Sequence, residues 1–332
     1  VMEQLFSNEV YRAHVKSRGN KQTIMLGFSD GTKDGGYLMA NWSIIKAKMA
    51  LTDVAEKHGI SILFFDGRGG PPARGGGETH EFYASQGNDI SESEIQLTIQ
   101  GQTISSNFGT VESARFNIEQ LIHAGCMRAL NPNIGETITE HDKGVLKELS
   151  EISYEAYVAL KSDPVFLDYV AEVTPLKYYS ETNIGSRPSK RAGGALSLDS
   201  LRAVPYVGSW SQIKQNLPGF FGVGTALKAM DDNGRFAEAQ ALYQNCPFFK
   251  ALISNCEMAM KKCFFPLTAH LKNHPKYGAL WQSIYDEFQL SKKYVLALSG
   301  AQLLMESKPV GVASVELRQK IELPLLVIQQ YA

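Results

Sequence analysis

Between Phe64 and Gly77 the chain reads Phe64-Phe65-Asp66-Gly67-Arg68-Gly69-Gly70-Pro71-Pro72-Ala73-Arg74-Gly75-Gly76-Gly77. Glycine lets backbone N–H groups come close to a ligand, and each arginine presents a planar fork of donors suited to an oxyanion. A surface turn accounts for Gly-Gly-Pro-Pro but leaves two arginines inside a glycine run unexplained. The stretch is read as an anion loop for a small molecule carrying phosphate or carboxylate.

Two further clusters have side chains able to share that work. Asp30-Gly31-Thr32-Lys33-Asp34-Gly35-Gly36 sets two carboxylates and an ammonium in what reads as a loop after a strand. One carboxylate there suits Mg²⁺, which takes one or two protein carboxylates together with water and substrate oxygens. Asp34 is read as the N-cap of the helix that follows. A calcium loop is excluded because no glutamate stands near Asn41, and neither glycine cluster carries the Gly-Lys-Ser/Thr of a nucleotide-phosphate loop. The second cluster, Ile184-Gly185-Ser186-Arg187-Pro188-Ser189-Lys190-Arg191 followed by Ser200-Leu201-Arg202-Ala203-Val204-Pro205-Tyr206, concentrates cations again. A charge run is ordinarily a solvated face, but two separated arginine loops also clamp the two ends of one polyanion.

The elements that must position these loops follow from periodicity. Strands are expected at Thr23 to Gly27, Ile60 to Phe65, Ile95 to Ile99 and, more briefly, near Ser200 to Tyr206. A long helix to about His58 carries Leu38, Trp42, Ile45 and Met49 on one face. A helix from Val111 to Leu130 is expected to bury Ala114, Ile118, Leu121 and Ile122, and one from Lys143 to Leu160 to bury Leu146, Leu149, Ile152 and Tyr157. From Gly219 the pattern is helical only, with helices expected at 220–230, 233–245, 247–272, 277–287, 288–306 and 313–330. This is an α/β chain, predominantly helical: a βα region at 1–215 and an all-helical region at 216–332.

Totals narrow the partners. The 332 residues have a net charge of -1, so there is no broad basic face for nucleic acid or an anionic membrane. No apolar run approaches the ~18–20 residues that span a bilayer, and no signal peptide is recognisable. Cys126, Cys246, Cys256 and Cys263 form no Cys-x-x-Cys pair and read as reduced thiols of a cytoplasmic protein. His270 and His274 share a helical spacing but lack the acidic neighbour of a zinc helix. The chain starts at Val1 and stops inside an apolar run, Leu323 to Ala332, which reads as a piece of something longer.

Four separated motifs, in order, now resemble one family. Phe28-Ser29-Asp30-x-x-Lys33-Asp34-x-Gly36, Gly67-Arg68-Gly69-Gly70 with Arg74-Gly75-Gly76, Gly185-Ser186-Arg187-Pro188-x-Lys190-Arg191 and Leu201-Arg202-Ala203-x-Pro205 are similar to the carboxyl-terminal part of phosphoenolpyruvate carboxylase. The resemblance runs on through Trp210, Leu217-Pro218 and Leu323-Pro324-Leu325-Leu326. It implies the second half of a (β/α)8 TIM-type barrel followed by an all-α region, tetrameric in the intact protein. The implied reaction joins phosphoenolpyruvate and bicarbonate into oxaloacetate and phosphate with Mg²⁺ or Mn²⁺. By the resemblance, Asp30 ligates the metal with Lys33 close by, Arg68 and Arg202 grip the substrate phosphate, and Gly69 and Gly70 line it. Arg74 lies on the mobile glycine loop, expected to be poorly ordered here from Gly69 to Gly77. Arg187 and Arg191 belong to the site rim, while Lys262, Arg318 and Arg74 match the site for aspartate or malate as inhibitor.

One departure concerns chemistry. Asp66 stands where the family commonly has a histidine associated with the carboxylation step, so a catalytic role for Asp66 is an open expectation, with its charge neutralised by Arg68 or Arg74 or with Asp66 taking over a hydrogen bond the histidine makes. The resemblance also places a second metal-ligating glutamate, a catalytic histidine and a further phosphate-binding arginine upstream of Val1, and an inhibitor-site asparagine beyond Ala332. It follows that the chain, lacking its amino-terminal half, is expected to be inactive alone. A non-catalytic module sensing aspartate or malate is the alternative reading, and another barrel enzyme acting on phosphoenolpyruvate or pyruvate a third.

Overall fold

Lys21–Gly27 (β1) and Ser61–Gly67 (β2) are seven-residue strands; exposure alternates along β1 around Ile24 and Leu26, whereas β2 is continuously apolar from Ile62 to Phe65. They pair parallel and in register from Lys21 opposite Ser61 to Gly27 opposite Gly67. A short third strand, β3 (Gln96–Leu97), joins the other edge of β2, again parallel. The computed structural model describes residues 1–87, 89–90, 94–130, 138–179 and 196–330. Among them the sheet has three strands in the order β1-β2-β3.

Helices supply most of the remaining structure. α1 (Met2–Ser7) and α2 (Glu9–Ser17) precede β1; α3 (Phe28–Gly35) and α4 (Tyr37–Lys57) connect β1 to β2. α5 (Thr79–Ala84) precedes β3, and α6 (Gln102–Phe108), α7 (Val111–Leu130), α8 (Glu140–Lys161), α9 (Phe166–Asp168) and α10 (Leu176–Tyr179) follow. The last group is α11 (Ala203–Gln212), α12 (Val223–Asp232), α13 (Phe236–Asn245), α14 (Pro247–Lys261), α15 (Gly278–Ser299) and α16 (Pro309–Gln329). No helix of the described residues is long and apolar enough to cross a membrane.

Several expectations are corrected. The fourth strand is instead α11: Ala203, Tyr206, Val207 and Trp210 recur at helical spacing and are all buried, with pairing confined to a single bridge at Leu201. Pro205 is tolerated because it falls in the first turn. The presumed loop at Asp30 to Gly36 is α3, so Asp34 sits in its last turn; Gly36, with no side-chain cap, begins α4. In α7, Ile118 and Ile122 are 48% and 59% exposed, because the face turned to α5 and α6 runs through Leu121 and buried Ala124. The long helix expected over 247–272 breaks after Lys261, resuming as a 3-10 segment, Phe265–Asn273, whose Pro266 lacks the N–H that would extend α14. The two helices expected over 277–306 merge into α15.

The apolar core is continuous across residue 215. Trp210 is fully buried among Phe166, Tyr169 and Tyr206, stacking on Tyr169 at 5.8 Å between centroids. Tyr37 on α4 donates its hydroxyl to Leu252 O on α14 at 2.9 Å. Glu287 of α15 ties the helical region together at the start of α12, where the leading N–H groups need acceptors. Its Oε1 accepts from the backbone N–H of Gly222, Gly224 and Thr225 at 3.0, 3.0 and 3.2 Å, and Oε2 accepts the Thr225 hydroxyl at 2.6 Å. Replacing Glu287 with Leu strands those buried donors and is expected to cost about 3 kcal/mol in urea unfolding; a loss under about 1 kcal/mol would show that α12 is held by packing alone.

Candidate functional site

Because β1 and β2 end level with each other, the segments leaving them begin side by side. This carboxyl end of a parallel sheet is where βα proteins gather functional groups. α3, with Asp30 and Lys33, leaves β1; Arg68 and the glycine loop leave β2; Thr98 and Gln100 follow β3. Thr98 fastens the neighbours, its N–H donating to Asp66 O at 3.0 Å and its hydroxyl to Arg68 O at 2.7 Å.

The glycine loop, for which mobility was expected, is closed here by backbone hydrogen bonds among its own residues. Gly69 N–H donates to Arg74 O at 2.7 Å, Gly76 N–H to Pro71 O at 3.0 Å and Gly77 N–H to Gly70 O at 3.1 Å, around a 3-10 turn at Pro72–Arg74. Gly75 has φ +77°, and a Cβ there would stand 2.4 Å from the Phe28 ring; at Gly76 it would stand 1.9 Å from Gly70 O. The glycines thus allow the backbone to fold onto itself and onto α3. Arg74 is half-buried, donating from Nε to the Ser29 hydroxyl at 3.1 Å and from Nη2 to Gln100 Oε1 at 2.6 Å, so it bridges the segments after β1 and β3.

Arg68 is 3% exposed. Its guanidinium lies over Phe82 at 4.1 Å from the ring centroid, with Phe28 and Tyr83 beyond, and Nε donates to Gly75 O. Nη1 is buried and has no acceptor among the described residues. Burial pushes the guanidinium pKa down, against the neighbouring Tyr83 and Asp66. Arg202 precedes α11, which packs against α3 and the Pro72–Arg74 turn; its Nε is likewise buried without an acceptor. Lys33 is buried and extends to Leu198 O at 2.9 Å and to the Asp34 carboxylate at 2.5 Å. Tyr157 and Lys161 of α8 donate to Lys33 O, which fixes α3 from behind.

Asp66 points to the face of β2 shared with Ile62 and Phe64, which α4 covers, and not to the face of Phe65 and its β1 partner Met25, which is 63% exposed. Its Oδ2 accepts from Lys48 Nζ on α4 and from the Tyr83 hydroxyl on α5, each at 2.8 Å. The neutralising cation is therefore Lys48, where Arg68 or Arg74 had been expected. Lys48 was legible in principle, because it interrupts the buried stripe Asn41, Ile45, Thr52, Ala55 of α4 with a charge. Tyr83 carries no such signal.

Asp30 is exposed on the first turn of α3 and offers a metal one carboxylate, the number Mg²⁺ uses with water and substrate oxygens. Among the described residues, the group of potential ligands lying close together is elsewhere: Glu78, His80 and Glu81. Lys308 already occupies it, reaching both Glu81 oxygens at 2.8 Å and Glu78 at 3.8 Å. Lys262 and exposed Arg318 lie near each other at the C-terminal end of α14, the helix that packs on the Pro72–Arg74 turn. Burial first, then Arg318 and Lys214, push the Lys262 ammonium to a lower pKa. Arg187 and Arg191 lie outside the described residues.

The phosphoenolpyruvate carboxylase family model matches residues 1–332. The phosphoenolpyruvate carboxylase of Corynebacterium diphtheriae is 34% identical over 342 residues, covering 99% of this chain and 38% of that protein. The namesake from Corynebacterium glutamicum is 35% identical, covering 99% and 37%, and that from a Synechococcus species 34% identical, covering 99% and 34%. The chain thus spans well under half the length of these relatives. For the glycine loop, Gly75→Ala is expected to lower stability by about 1–3 kcal/mol through strain and overlap with Phe28. Chemical unfolding of the variant is the check, and an unchanged midpoint would mean that the loop does not need this closed form.

Proposed function

The chain belongs to the phosphoenolpyruvate carboxylase family, and from that premise we propose that it is the carboxyl-terminal catalytic portion of an enzyme joining phosphoenolpyruvate and bicarbonate into oxaloacetate and phosphate. The sheet and its helices are then the second half of a (β/α)8 barrel, completed by the amino-terminal half, in a cytoplasmic tetramer. The observation that carries the reading is the pair of buried guanidinium N–H groups, Arg68 Nη1 and Arg202 Nε, without acceptors among the described residues. A buried donor left unpaired costs about 1–3 kcal/mol, which a bound oxyanion recovers.

In this reading Arg68 and Arg202 hold the substrate phosphate as it passes to bicarbonate, giving carboxyphosphate and the enolate of pyruvate. Carboxyphosphate then yields phosphate and carbon dioxide, and the enolate carbon attacks the latter to form oxaloacetate. The arginines act by charge stabilisation and alignment of the transferring group. Lys33, anchored through Leu198 and α8, keeps a positive charge beside the reacting anions. Asp30 would hold Mg²⁺ or Mn²⁺, which would supply further charge neutralisation. Asp66, which points away from the open sheet face, acts through its neighbours.

In the full-length protein, Arg68→Met and Arg202→Met are each expected to lower kcat/KM for phosphoenolpyruvate by roughly two orders of magnitude, whereas a change under threefold would overturn the assignment. The isolated chain is expected to form no oxaloacetate from bicarbonate, and a spectrophotometric assay that detects any refutes this.

Lys262 and Arg318 support a site for aspartate or malate alongside catalysis. Calorimetry separates this from a purely sensory module, because the latter binds aspartate but not phosphoenolpyruvate with Mg²⁺. The bound dicarboxylate favours the protonated lysine, whose pKa is depressed in the free protein. Affinity should therefore fall as pH rises through that depressed value, by up to about tenfold per pH unit. Lys262→Met should flatten the dependence; an identical slope in the variant excludes Lys262 as its source.

A further inference from the structure

A carboxylate two residues from a phosphate-holding arginine is a hazard, because the two would pair and cancel the charge that the anion needs. Asp66 and Arg68 stand in that relation at the end of β2, 1% and 3% exposed. No hydrogen bond joins them: Asp66 Oδ1 and Arg68 Nη1 are both buried, and neither has a hydrogen-bond partner among the described residues. What separates them is visible. Lys48, also 1% exposed, takes Asp66 Oδ2 at 2.8 Å together with the Tyr83 hydroxyl. Phe82 lies against both cations, its centroid 5.7 Å from Lys48 Nζ and 4.1 Å from the Arg68 guanidinium. Lys48 also lies against Phe64 and Tyr83 and reaches Gln86 Oε1 at 3.3 Å, so its position is fixed from several sides. With Lys48 and Asp66 cancelling, one positive charge remains, on Arg68.

We propose that Lys48 is a positioning residue that draws the Asp66 carboxylate away from Arg68 and so leaves the Arg68 guanidinium free to hold the phosphate of a small phosphorylated ligand. This rests on the reading of Arg68 as a phosphate-holding group. Tyr83 assists by donating to the same carboxylate oxygen. A buried ion pair contributes little net stability but is costly to break on one side, which favours a role in placing charge.

Inorganic phosphate binding to the full-length protein, measured by calorimetry, tests this without relying on turnover. Lys48→Met is expected to weaken phosphate by about tenfold or more, equivalent to about 1.4 kcal/mol, as Asp66 turns to Arg68. The double variant Lys48→Met/Asp66→Asn, which removes the competing charge, is expected to return within about threefold of the parent. A merely structural pair predicts the reverse, with the double variant as impaired as the single one. If Lys48→Met does not fold, Lys48→Gln keeps a donor without charge and should show the same loss and the same rescue by Asp66→Asn. Parent-like affinity in the single variant, or no rescue in the double, overturns the proposal. Arg68→Met separates the two levels: if it binds phosphate like the parent, or the parent binds none, the underlying reading fails as well.

Discussion

The parallel, in-register pairing of β1 with β2 is the constraint on which the site depends. Gly27 opposite Gly67 means that both strands stop at one level, so α3 and the glycine loop start as neighbours. A slip by one residue would turn Asp66 from the helix-covered face to the open one and carry Phe64 with it, exposing apolar surface that α4 now buries. Register thus goes together with the placing of Ile62, Phe64 and Asp66 beneath α4. Thr98, after β3, then stitches the ends of the strands by accepting no new charge, only closing backbone groups of Asp66 and Arg68.

Around that frame the dominant physical problem is cation burial. Lys33, Lys48 and Arg68 are nearly inaccessible, and each meets the cost differently. Lys33 uses a backbone carbonyl and the adjacent carboxylate, Lys48 a buried carboxylate and aromatic faces, and Arg68 aromatic faces with one carbonyl. Aromatic faces attract a cation without cancelling its charge, whereas a carboxylate does cancel it. Phe82, Phe28 and Tyr83 around Arg68 therefore keep a desolvated positive charge at the carboxyl end of the sheet. Glycine at 75 and 76 permits this packing by letting the loop backbone close over the guanidinium.

The helical region is not an appendage to this arrangement. α8 holds Lys33 O through Tyr157 and Lys161, and α12, anchored on Glu287, packs against α8 and α15. α14 touches the Pro72–Arg74 turn and carries Asn255, whose Oδ1 accepts from Glu78 N–H at 3.2 Å. A helix that bears Lys262 at one end thus meets the loop that bears Arg74, giving a contiguous physical connection between the two basic clusters.

Sequence alone was sufficient for the family, the two principal strands, the long helices α4 and α8 and the arginines of the glycine loop, because these rest on local periodicity and on residue types that few structures require. It was insufficient where the outcome depended on what packs against a segment. Ser200 to Tyr206 has strand-like residues, yet Tyr206 and Trp210 are drawn into one aromatic cluster by helical spacing. Asp30 to Gly36 has loop composition, yet Phe28 and Thr32 bury one side of α3. Ile118 and Ile122 look like core and are exposed because α7 is rotated to place Leu121 and Ala124 inward. The partner of Asp66 was the least legible of all. Lys48 is 18 residues away on another element, and only the packing of α4 and α5 against β2 brings an ammonium, a phenol and a carboxylate to hydrogen-bond distance. The buried stripe of α4 marks Lys48 as a charge in need of a partner, but long-range charge pairing is a property of the assembled layers, and no local pattern names Asp66 as that partner.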